Sequence, residues 1–305
     1  MSGAEWPREE PGGGQASRRP TIAFFAPALG AGLYYQKWQI WGGIAAVCRR
    51  RGINLLYIAG GQTDSSPAAV LYRLVNDRSV DGIVSWTGVV TSRLAAEEAR
   101  AFFARYAPLP VVNVGWRLEG VRSLAFDQAA GMRDLLRHLI EVHGFRRIAY
   151  IVRDTGHLGF EYQYSGYEET LRRCGLFDPA LVVDQSAVSP LAALSQRGLR
   201  PAVDYQAAVC TSDTLAMSFI GELGAHGLRA PQDLAVTGFH DGMEARITVP
   251  PLTTVRMPWR EAGQQAAERL LDYIGCTFAL MAGRDSPGGD RTTMKIGRAS
   301  CRERV

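Results

Sequence analysis

From Pro20 onward, short apolar runs alternate with stretches that repeat apolar residues at helical spacing, and this alternation constrains the fold more than any other feature. The runs are 21–27 (TIAFFAP), 54–61 (NLLYIAGG), 81–88 (DGIVSWTG), 110–115 (PVVNVG), 123–127 (SLAFD), 146–152 (RRIAYIV), 207–213 (AAVCTSD) and 233–239 (DLAVTGF). They are apolar nearly throughout, as strands buried on both faces are. Between them, 36–51 ends at Gly52 and 131–142 ends before Gly144, both plausible C-cap glycines. The stretch 214–225 follows Ser212-Asp213, good N-cap chemistry in which Asp213 is expected to cap the helix. Repeated strand–helix–strand units imply parallel sheets with right-handed crossovers. There are too many units for one small sheet, so the expected fold class is α/β with two doubly wound parallel-sheet lobes. Ligands then bind beyond the C-terminal strand ends, in a cleft between the lobes.

The length of 305 residues suits two such lobes, and 47% hydrophobic with 21% charged residues is ordinary for a globular chain. A net charge of +4 is too weak to argue for nucleic acid or membrane. Cys48, Cys174, Cys210, Cys276 and Cys301 lie far apart, without metal spacing, and read as thiols in a reducing compartment. No apolar run is long enough to span a membrane, and the N-terminus lacks a signal-peptide core, which predicts a cytoplasmic location.

The segment SDTLAMSFIGELGAHGLRAPQDLAVTGFHDGMEARITVPPLTTVRMP, from Ser212 to Pro258, resembles the sensor domain of LacI/GalR-type transcriptional regulators, a periplasmic-binding-protein-like fold of type I. HLIEVHGFRRIAYI (138–151) and DRSVDGIVSW (77–86) resemble the same family, and the likeness covers about 20–275. The resemblance implies a first lobe of 20–125 plus 253–276 and a second of 126–252, with crossings near Phe126 and Pro251. The prolines Pro250-Pro251 would stiffen that second crossing. Residues 1–20 read as a flexible leader, too short for the helix-turn-helix head of such regulators. The last ten residues, IGRASCRERV (296–305), resemble one reading frame of a sequencing adapter, so 277–295 is expected to hold a damaged last crossover.

Site residues follow from the resemblance one at a time. Gln163 stands where the family's sugar-binding Arg is expected, in Gln163-Tyr164-Ser165-Gly166-Tyr167. Ser212 replaces an Asn, His240 replaces the first Asp of a Gly-Phe-Asp-Asp turn and is followed by Asp241, and Gly115 replaces an acid. Asp127 lies at the first crossing. Tyr35, Trp86 and Trp116 offer stacking faces near the cleft mouth, whereas Trp38 and Trp41, at helical spacing, suit packing. If His240 lines the cleft, its protonation would tune binding near neutral pH.

Gly30-Ala31-Gly32 lacks the third glycine of a dinucleotide fingerprint, and no phosphate-binding loop or nucleophile elbow is present. His138 and His143 are five apart, not the i, i+4 pair of a zinc helix. No catalytic residue, metal or cofactor is therefore expected. The implied function is sensing of a small-molecule effector, with the sugar, polyol and nucleoside classes foremost, and the missing catalytic constellation points away from an enzyme. The resemblance implies a homodimer, with DNA or a fused signalling output reached through another module. A transporter's solute-binding protein and a cleft enzyme on the same fold are the alternatives.

Overall fold

The structure, a computed structural model, describes residues 19–27, 35–60, 70–86, 90–91, 94–115, 117–152, 158–184, 189–281, 293–298 and 300–302. Among them are two six-stranded sheets. The first is built from β1 (Thr21–Pro27), β2 (Asn54–Gly60), β3 (Gly82–Ser85), β4 (Val111–Gly115), β5 (Arg122–Asp127) and β11 (Thr293–Arg298), in the order β11-β5-β4-β3-β1-β2 and parallel throughout. The second holds β6 (Ile148–Val152), β7 (Val182–Asp184), β8 (Ala207–Cys210), β9 (Ala235–His240), β10 (Thr253–Arg256) and β12 (Ser300–Arg302). Its order is β12-β10-β9-β8-β6-β7, and only β12 runs antiparallel.

The apolar runs are strands because both faces are covered. In β1, Ile22, Phe24 and Ala26 enter one core cluster while Ala23 and Phe25 enter another, all fully buried. In β6 the split is Ile148, Tyr150 and Val152 against Ala149 and Ile151. Successive side chains point to opposite faces, so a strand sandwiched between helix layers has no polar side.

The helices are α1 (Tyr35–Arg51), α2 (Val70–Arg73), α3 (Ala96–Ala104), α4 (Gln128–Arg137), α5 (Leu158–Arg173), α6 (Pro190–Gln196), α7 (Asp213–Ala225), α8 (Glu244–Ile247) and α9 (Trp259–Met281). A π-helical turn, His138–Val142, extends α4. Gly52, at φ +66°, and Gly144, at φ +71°, end α1 and the π turn as left-handed caps. Ile40, Gly43, Ile44 and Val47 form the buried stripe of α1, which packs against α9. There the backbones touch: a Cβ on Gly43 would stand 2.1 Å from the Arg260 carbonyl oxygen, and one on Gly263 2.1 Å from that of Ile40.

The first crossing between sheets falls between Asp127 and Gln128. The second is displaced. Thr253–Arg256 pairs in parallel with Thr237–His240, so β10 belongs to the second lobe and the chain returns at Met257-Pro258. Thr254 and Val255 are fully buried in that pairing, which keeps the strand with β9. Pro250-Pro251 therefore lies upstream of β10, inside the second lobe. A third crossing is present where a damaged one is expected: β11 pairs with β5 of the first sheet and β12 with β10 of the second.

Candidate functional site

In a doubly wound sheet the helix N-termini and loops after each strand gather at the C-terminal strand ends. Most of the expected site residues are placed there. Asp127 ends β5 and caps α4, its Oδ1 accepting from the Ala130 N–H at 2.9 Å, with the Arg133 guanidinium 4.0 Å away. Gln128, the next residue, is buried and accepts a hydrogen bond from Gln163 Nε2 at 2.9 Å. Gln163 is only 1% exposed, and its Oε1 has no hydrogen-bond partner among the described residues. A buried amide oxygen without a donor costs about 1–3 kcal/mol, which a bound hydroxyl or amide would recover.

Ser212 is the N-cap of α7, its Oγ accepting from the Leu215 N–H at 3.2 Å. The capping expected of Asp213 thus falls to Ser212. Asp213 is buried and accepts from the Gly242 N–H at 2.6 Å and from the Thr254 hydroxyl. Its carboxylate adds to burial, the larger cause, in pushing the Cys210 thiol up.

These bonds tie down a strained turn. His240 has φ +102° and Asp241 φ +53°, left-handed conformations that side chains with a Cβ rarely adopt. The Asp241 N–H donates to Thr254 Oγ1 at 3.3 Å, and its carboxylate stands 3.5 Å from Arg246. The His240 ring lies 6.0 Å, centroid to centroid, from Trp259.

Trp259, which the sequence reading did not single out, is the centre of an aromatic group spanning both lobes. Its ring is 4.5 Å from Phe126 and 6.0 Å from Trp86, in edge-on arrangements. Trp86 is buried under it, with 5% exposure. The Trp259 Nε1 is buried and has no acceptor among the described residues. It follows β10 at the second crossing, where a large aromatic directly after the Met257-Pro258 link could have signalled a hinge role. Gln36, in the first turn of α1, and Ser85, ending β3, also hold buried side-chain oxygens without partners there. Lys37, next to Gln36 in the chain, is buried, its ammonium 5.5 Å from the Trp38 ring.

The remaining expectations divide. Tyr35 opens α1 and is half-buried. Trp116 lies outside the described residues. Trp41 packs against Tyr57 at 5.2 Å, while Trp38 stacks on Tyr57 yet stays 50% exposed. Among the described residues, no group of three or more His, Cys, Asp and Glu side chains is placed to hold a metal, and no helix is long and apolar enough to cross a membrane.

Known proteins agree with this architecture. The periplasmic binding protein-like domain family matches residues 136–301, more than half of the chain. The HTH-type transcriptional repressor PurR of Vibrio atlanticus (strain LGP32) is 28% identical over 243 residues, covering 77% of this chain and 70% of that protein. A LacI family transcriptional regulator from Mycobacterium smegmatis superposes with a TM-score of 0.72 at 24% identity, covering 93% of this chain and 97% of that one. The transcriptional regulator CelR in complex with cellobiose gives 0.71 at 24% identity, covering 94% and 84%. With that domain matched over more than half of its length and with transcriptional regulators of the LacI kind among its relatives, the chain belongs to the periplasmic binding protein-like family as a sensor domain of the LacI/GalR type.

Proposed function

We propose that the cleft binds a small neutral polar effector, a sugar or a related polyol or nucleoside, and that cleft closure on it switches a regulatory output. The observation that carries this is the set of buried polar atoms without partners among the described residues, above all Gln163 Oε1 and Trp259 Nε1. An acceptor from the second lobe and a donor at the hinge suit a ligand that offers both hydrogen-bonding senses, as a hydroxyl does. The acids nearby are already engaged: Asp127 in a cap, Asp241 with Arg246. Lys37 supplies further donors rather than a full anion clamp. Tyr35, Trp86, Trp116, Ser212 and His240 complete the proposed contact set, while Asp127 and Asp241 fix the loops that carry them. The cellobiose seen with CelR is one member of the class.

A ligand shifts a two-state equilibrium only by binding closed and open forms unequally, so the effector must touch both lobes. The domain is read as a non-catalytic, cytoplasmic homodimer whose contact with DNA or a signalling module is made by another segment. A thermal-shift screen over sugars, polyols and nucleosides tests this. An effector at 100 times its Kd adds about 2.7 kcal/mol to stability, a plain rise in Tm. No shift with any neutral compound, against a clear shift with organic anions, would reject the proposed ligand class. Turnover of the bound compound would favour an enzyme.

A further inference from the structure

The π-helical turn after α4 changes the meaning of a histidine spacing. On an α-helix of 3.6 residues per turn, side chains five apart point roughly 140° from each other. A turn closed by i→i+5 hydrogen bonds holds roughly 4.4 residues, which cuts that angle to roughly 50°. His138 opens the π turn and His143 is its C-cap residue. The result is that His143 Nε2 lies 3.1 Å from His138 Nε2, with the rings nearly perpendicular. His143 is exposed and His138 partly so. The pair is braced from below: His143 stacks on Phe145, with ring centroids 5.5 Å apart and planes 14° apart. The turn itself is locked by the Phe145 N–H donating to the Leu139 carbonyl at 3.1 Å, around Gly144.

We propose that His138 and His143 form a two-histidine chelate for a divalent first-row metal ion of the zinc, nickel or copper kind. At a metal–nitrogen distance of about 2.0–2.1 Å, two nitrogens 3.1 Å apart subtend roughly 100° at the ion. That lies between the octahedral and tetrahedral angles, and imidazole nitrogen is a suitable donor for these metals. Without the ion, one Nε2 must donate to the other. With it, both Nε2 lone pairs turn to the metal, the former donor ring takes the tautomer that carries its proton on Nδ1, and water fills the remaining positions. The site is at the C-terminal end of the α4 segment, whereas the cleft residues Asp127 and Gln128 are at its start. It is thus separate from the effector cleft and independent of the effector's identity. π turns recur at functional positions because the inserted residue strains the helix. Here it converts an unsuitable spacing into a converging pair.

Zinc titration of the intact chain by calorimetry tests this, with the imidazole Nε2 signals followed by nitrogen NMR. The wild type and His226→Ala, whose histidine caps α7 elsewhere, are expected to bind one zinc equally at this site. His138→Ala and His143→Ala are expected to bind at least tenfold more weakly, with unchanged melting in the absence of metal. Zinc should shift the Nε2 signals of both residues together. Weakening of less than tenfold in either variant, or no binding by the wild type at millimolar zinc, overturns the proposal. Nε2 signals that zinc leaves unmoved overturn it even if a variant fails to fold.

Discussion

Gly238 sits where the chain of β9 passes closest to the buried carboxylate that orders the site. A Cβ there would meet Asp213 Oδ1 at 2.2 Å and the Leu252 side chain at 2.8 Å. Asp213 is held in place, since it accepts from the Gly242 N–H and the Thr254 hydroxyl. Gly238→Ala is expected to cost about 1–3 kcal/mol by overpacking. Urea unfolding should show a lower midpoint at constant slope, and effector affinity should fall because the His240-Asp241 turn moves. Residues of this kind are legible in sequence only through a motif: the Gly-Phe-His-Asp string drew attention to His240 and Asp241 but not to Gly238, and Gln163 came from a second motif. Trp259 and Gln128 stayed hidden because neither belongs to a pattern. Their roles arise from where two crossings meet in space. The Ser212-Asp213 pair shows a finer limit, since both residue types cap helices and only the three-dimensional position of Thr254 takes Asp213 inward.

At the scale of elements, period and caps carried most of the information. The eight apolar runs are all strands, with ends shifted by a few residues, and Gly52 and Gly144 end their helices as glycine requires. Val182–Asp184 was missed because three residues show no periodicity, and Thr253–Arg256 because threonines blur an apolar run. The α1–α9 contact was also invisible, as two glycines far apart in sequence give no sign that they face each other's partners. Gly263→Ala should force these helices apart, because its Cβ would meet backbone at 2.1 Å. A loss of about 3 kcal/mol is expected, at the upper end of overpacking costs. A Gly43→Ala, Gly263→Ala double variant should lose less than the sum of the single changes, since one separation relieves both contacts. Additive losses in denaturant unfolding would mean that the helices do not share this contact.

For the whole molecule, the two-lobed architecture was readable, while the second crossing was not. The resemblance put it near Pro251, and the pairing of β10 with β9 puts it at Met257-Pro258. Stability of the assembled lobes carries a pH signature. Burial pushes the Cys48 thiol up from 9.0 to about 11, and burial raises Tyr72, Tyr150, Tyr167, Tyr205 and Cys210 in the same direction. The folded chain keeps protons that the unfolded chain releases. The Cys48 contribution is therefore complete below about pH 9 and is lost as pH rises through about 11. Chemical unfolding between these values should show stability falling with pH, by up to about 1.4 kcal/mol per unit from each such group. Cys48→Ala should flatten the fall, and an unchanged slope would show that Cys48 does not contribute.

The interleaved path also has a consequence in time. Synthesis delivers the chain from its N-terminus, and domains fold as their residues become available. The second lobe needs one nearly continuous stretch, Gln128 to Arg256, with only β12 added later. The first lobe must wait: β1 to β5 are made early, but α9, which covers α1, and β11, which flanks β5, arrive only after the entire second lobe. Until then Ile40, Ile44 and Val47 lack their partner helix. The lobe that begins first is the one that finishes last, and until then the apolar stripe of its first helix stands without its cover.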